Sequence, residues 1–173
     1  MSERFAGVRP RSSVDNILRT IQQHHVQLSV MADTKASILI TVSSIVLTIA
    51  LSRSNEPQLR PALLTIAATA LVSLLLAIIA VVPAFAAPKP GSGRSKNIFF
   101  FGHFASMSES EFMDEMERIL ADDSVTYEAA VRDIHSLGVY LHRKKYRFLR
   151  YAYIALLVGF VIATIVETWV VVR

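Results

Sequence analysis

The 173-residue chain has no cysteine. That excludes disulfides, thiol nucleophiles and Cys-ligated zinc or iron–sulfur sites. Charge is scarce as well: Asp, Glu, Lys and Arg make up 18% of the residues, against about a quarter in an ordinary soluble domain. No HExxH, P-loop, GxGxxG or GxSxG occurs. The histidines are His24, His25, His103, His135 and His142; none stands with carboxylates at metal-ligand spacing or with hydroxyls as a triad. The expectation is a protein that is not an enzyme, with no metal and no resident cofactor.

Apolar residues dominate what remains, at 53% with a mean hydropathy of +0.44. They concentrate in runs at residues 36–52, 61–87 and 151–172. This excludes a secreted domain, a disulfide scaffold and a disordered tail, and predicts an all-α integral membrane protein with three transmembrane helices. The first run gives roughly 26 Å of helix at about 1.5 Å per residue, the short end for a bilayer core of about 30 Å. The second opens on Pro61, which a first helical turn tolerates. The first run begins too late for a signal peptide.

The position of the +4 formal charge sets orientation. Residues 1–35 carry Arg4, Arg9, Arg11, Arg19 and Lys35, and residues 88–150 carry ten cations, whereas 53–60 carry two and the tail only Arg173. By the positive-inside rule the N-terminus and middle segment are cytoplasmic, and the short loop 53–60 and the C-terminus are outside.

Residues 1–12 read as disordered and 13–35 as a cytoplasmic helix. There Val14, Ile17, Leu18, Ile21, Leu28 and Ala32 recur at helical spacing. No breaker separates that helix from the first span. Residues 88–150 comprise a linker (PKPGSGRSK) and a helical region. A capping box, Ser108 and Glu111, opens a helix over 108–122 whose face is Phe112, Met116 and Ile119 or Leu120. Ser124 is placed to cap the next helix, 124–150, with the stripe Tyr127, Val131, Ile134, Leu137 and Leu141. Asp122 and Asp123 read as a helix end. A small cytoplasmic helical bundle follows, which multimerisation would help to stabilise.

Some features invite two readings. Ser37, Thr41, Ser44, Thr48 and Ser52 share one face of the first span: a pore wall or water-filled seam, or a packing surface of small hydroxylated residues. Thr65, Thr69, Ser73 and Ala77 are each four apart, and Gly159 and Ala163 repeat the pattern. Glu167 is a carboxylate inside a span, five residues before Val172. It is either functional or reaches the headgroups beside Arg173. Arg143, Lys144, Lys145, Arg147 and Arg150 form a belt before the third span, which orients the helix and touches anionic lipid. Arg132, His135 and His142, three and seven apart, make a basic face able to hold a phosphate.

Met31-Ala32-Asp33-Thr34-Lys35-Ala36-Ser37, leading straight into a span, resembles the "ADxKAS" lead-in of the Pycsar effector transmembrane family. So, in order, do Phe99-Phe100-Phe101-Gly102-His103-Phe104, Phe112, Tyr127 and Arg143-Lys144-Lys145-Tyr146-Arg147. The resemblance spans about residues 14–165. It implies a bacterial inner-membrane antiphage effector. Cyclic UMP or cyclic CMP would be the activating ligand, and membrane impairment with abortive infection the output. The ligand-binding residues it implies are Asp33, Lys35, Phe100, Gly102, His103, Tyr127, Lys145 and Tyr146. Asp33 and Lys35 have a plain alternative: ending the span and pairing with the basic belt. Gly102 has one too, a simple turn. The chain is short for an added cyclic-nucleotide β-barrel, so the helices themselves would hold the nucleotide. The expected partners are a cyclic pyrimidine nucleotide, the lipid bilayer and further copies in a homo-oligomer, with no nucleic acid polymer. A constitutive small ion channel or transporter, or a membrane scaffold recruiting a cytoplasmic partner, are the alternative functions.

Overall fold

The computed structural model describes residues 5, 8, 11–82, 98, 99, 104, 105 and 107–172. Helix accounts for 88% of them with no strand among the described residues, so the protein is all-α. The elements are α1 (Ser12–Ser52), α2 (Arg60–Val81), α3 (Glu109–Leu120), α4 (Asp123–Tyr140), a π-helical turn (Leu141–Tyr146) and α5 (Arg147–Val172). Three helices are long and apolar enough to cross a membrane: α1, α2 and the continuous α4–π–α5 rod, Asp123–Val172.

Local chemistry explains the boundaries. The backbone N–H of Ser108 donates to Glu111 Oε2 at 3.0 Å and Glu111 N–H donates back to Ser108 Oγ at 3.3 Å, the expected capping box. α4 is capped differently from expectation. Asp122, rather than Ser124, is the acceptor: Ser124 N–H and Oγ both donate to Asp122 Oδ1 at 2.8 Å. An aspartate taking the N–H two residues on is a strong N-cap, so this acidic pair starts a helix as well as following one. α2 stops at Val81, short of the expected 87, because Val82 turns extended (φ −57°, ψ 122°). Pro83 follows it, and the residue before proline is sterically pushed out of the helical region.

The chain divides into two compact units. The first comprises Met1–Gln27 and Pro83–Tyr140. In it Ile119 is buried and Leu120 exposed, which resolves the face of α3. Phe104 and Phe112 stack at 5.6 Å between ring centroids, tilted by 54°. The expected apolar stripe of α1 turns inward only in part here. Ile17 and Ile21 are exposed, while Val14, Leu18, Gln22 and His25 are partly covered. Val131 is likewise exposed, and Asp133 is buried in its place.

The second unit comprises Leu28–Val82 and Leu141–Arg173. Its interior is rich in small residues: Ala70, Ala77, Ala152, Ser43 and Ser73 are all fully buried, beside Leu39, Leu149 and Leu156. Large apolar side chains such as Ile38, Ile45, Leu75, Leu157 and Phe160 point outward. Lipid is as apolar as leucine, so nothing drives these outward residues inside. Close backbone approach through small residues drives association instead. Gly159 faces Thr69 so closely that a Cβ there would overlap the threonine side chain.

Candidate functional site

The buried stripe of the π turn and α5 is Leu141, Leu149, Ala152, Leu156, Gly159 and Ala163. Lys145 falls four residues from both Leu141 and Leu149, in the same register. It is therefore the member of the basic belt turned inward, while Arg143, Lys144, Arg147 and Arg150 are exposed. On α1 the buried face is Ala32, Ala36, Leu39, Ser43 and Ala50, and Ser29 and Asp33 sit one turn from it. Lys145 Nζ donates to Asp33 Oδ1 and Oδ2, each at 2.7 Å, and to Ser29 Oγ at 2.8 Å. The lysine side chain is 13% exposed and the aspartate 41%. Next to it Tyr146 OH donates to the Leu28 carbonyl at 3.1 Å. Both side chains are carried by the π turn, a helix form that recurs at functional sites because the extra residue re-aims side chains.

Asp33, Lys145 and Tyr146 thus come together, with Asp33 pairing with the belt as the plain reading of that residue has it. Ser29 completes the cluster. It was missed by sequence, although its four-residue spacing from Asp33 was the available signal. The side chain of Lys35 is exposed, and its carbonyl receives Tyr153 OH at 3.5 Å.

Tyr127 belongs to the first unit. Its OH donates to Asp15 Oδ1 at 2.9 Å. That hydrogen bond, then burial, raises the phenol above its ordinary value. Nearby in the chain, Gln22 Nε2 donates to Asp133 Oδ2 at 3.3 Å. Asp15, Gln22 and Asp133 are further polar residues that the periodic reading passed over. His25 Nδ1 is buried without a hydrogen-bond partner among the described residues. Arg132 is exposed and pairs with Glu128 one turn away at 2.6 Å. His135, in the same unit, and His142, in the second, are both exposed. Phe100, Gly102 and His103 lie outside the described residues, as does Arg173.

Most of the hydroxyl stripe of α1 is exposed among the described residues. Ser37 and Thr41 donate to the carbonyls of Asp33 and Ser37 at 3.0 Å, and Thr48 to Ser44 at 2.9 Å. Ser37, Thr41 and Thr48 are exposed and Ser44 is half-buried. The serine that packs is Ser43, beside the stripe, whose Oγ donates to Ser73 Oγ at 3.2 Å. Glu167 lies four residues beyond Ala163, so it faces α2 rather than lipid.

A family model described as PycTM, Pycsar effector protein domain, matches residues 16–172. The chain belongs to the Pycsar effector family. It is a defence effector against phage, located in a membrane. No curated protein and no solved structure matches the chain. The matched range takes in both polar clusters of the effector, Asp33–Lys145 and Asp15–Tyr127, save Asp15 itself.

Proposed function

We infer that this effector senses cyclic UMP or cyclic CMP on the cytoplasmic side and impairs the inner membrane, so that the infected cell dies before phage mature. The N-terminus is cytoplasmic and the C-terminus outside. The output is mechanical rather than enzymatic. The observation that carries the reading is the Lys145 ammonium, held by Asp33 and Ser29 where α1 and the basic belt approach their spans. A cyclic nucleotide presents one phosphodiester charge. That anion competes with Asp33 for the ammonium, and charge-assisted bonds to phosphate are strong enough to compete. Because Lys145 sits on the rod that continues as α5, exchanging its partner acts directly on a span. The ligand needs only to bind the two arrangements unequally. The outward hydroxyls of Ser37, Thr41 and Thr48 supply a polar surface for assembly of copies into a leak.

The test is calorimetric titration of the full chain in detergent with cyclic UMP and cyclic CMP, with cyclic AMP as control. Saturable binding of a pyrimidine nucleotide that is lost in Lys145→Glu, with dye leakage from liposomes following the same pattern, is the expected result. Absence of binding by folded protein sinks the reading and favours a constitutive channel or a scaffold. Flux without nucleotide then separates those two.

A further inference from the structure

At the far end of α5, roughly 26 Å along the helix from the basic belt at about 1.5 Å per residue, α2 and α5 flank an open cavity of about 500 Å³. Leu59, Leu63, Ile66 and Val171 make its apolar wall, and Glu167 projects into it. Glu167 Oε2 is buried without a hydrogen-bond partner among the described residues. Thr164 and Thr168 also line the cavity, but their protons are spent: each Oγ donates at 2.8 Å, to the Phe160 and Thr164 carbonyls. The polar lining therefore offers acceptors only, a carboxylate and two hydroxyl oxygens. A buried acceptor left unpaired is costly. The matching ligand group is one that only donates, and a primary ammonium has three N–H donors and no acceptor. A hard metal ion wants six or more oxygens, which this wall lacks. Val172, which also lines the cavity, is 81% exposed. The exposed Arg60, adjacent to the lining residue Leu59, places a cation at the same end.

We propose that this cavity is a binding site for an amine-headed phospholipid. The ammonium pairs with Glu167, the acyl chains lie on Leu63, Ile66 and Val171, and the phosphate sits toward Arg60. The site is independent of nucleotide sensing. It makes the far ends of α2 and α5 respond to headgroup composition.

The experiment is native mass spectrometry of the delipidated full chain offered equal amounts of phosphatidylethanolamine, phosphatidylcholine and phosphatidylglycerol. Phosphatidylethanolamine is expected to be retained over phosphatidylcholine, whose headgroup has no N–H, by about tenfold, the worth of one charge-assisted hydrogen bond. Glu167→Gln abolishes that preference. Leu63→Trp, which fills the cavity with the carboxylate intact, lowers ethanolamine-lipid adducts and decides the matter should Glu167→Gln fail to fold. Equal retention of the three lipids, or an unchanged preference in Glu167→Gln, overturns the proposal. Octylammonium displacing the lipid from the wild type supports it. Glu167-dependent octylammonium binding without any lipid preference overturns the lipid assignment in favour of a soluble amine.

Discussion

The two units of this protein are held together by opposite means. In the first, polar side chains reach across: Tyr127 to Asp15 and Gln22 to Asp133, with a capped amphipathic α3 covering part of the interior. In the second, alanine, serine and glycine bring the helices close around a few buried leucines, Leu39, Leu149 and Leu156, while many bulky apolar residues face away. The difference follows from the solvent each must exclude. Water rewards burial of large apolar area. Lipid does not, so packing there rests on contact made possible by small size. The Asp33–Lys145 pair brings opposite charges together within the second unit. It lies where α1 and α5 leave their most apolar stretches, and an ion pair is affordable there because Asp33 keeps water contact.

The comparison is broken most severely by enlarging the small-residue seam. Gly159→Leu is expected to cost about 3 kcal/mol through overpacking against Thr69, seen as loss of monodisperse folded protein in detergent. Next comes Asp33→Ala, which leaves the largely buried Lys145 ammonium without its counter-ion. A fully buried pair would lose several kcal/mol. With Asp33 so exposed, about 1–2 kcal/mol is expected, and a double-mutant cycle with Lys145→Met isolates the coupling.

The first unit gives a pH signature of its own. The folded-state value of Tyr127 lies above its ordinary 10. Its contribution is therefore complete below that pH and is lost as pH rises through the folded value. Tyr127→Phe costs about 1 kcal/mol at neutral pH. In thermal melts between about pH 9 and about pH 11 it flattens the alkaline loss of stability. The smallest effect sharpens the contrast: Ser43→Ala removes a buried hydroxyl pair from the membrane seam. Such bonds average about 0.6 kcal/mol, so a loss well above about 1 kcal/mol would show polar pairing to matter as much there as small size.

Local signals were mostly read correctly where the cause is local, the Asp122 cap of α4 excepted. The Ser108–Glu111 box, the helical runs and the small faces around Ser73, Ala77, Gly159 and Ala163 all depend on near neighbours in sequence. The failures share a reason too. Ile17 and Val131 fit a helical apolar stripe, yet stand exposed because Gln22 and Asp133 have each other as partners. The stripe through Ser37 and Thr41 was the conspicuous one, but Ser43, a single position away, makes the contact.

The sequence by itself determined that this is a three-span helical membrane protein with a basic belt, since hydropathy, capping and spacing act over a few residues. The family resemblance singles out Lys145 from that belt, and tertiary structure decided what holds it. Lys145 meets Asp33 across 112 residues of chain. It turns inward because the π turn and the Leu141–Leu149 register carry it there, a choice that no one-dimensional pattern among adjacent lysines and arginines specifies.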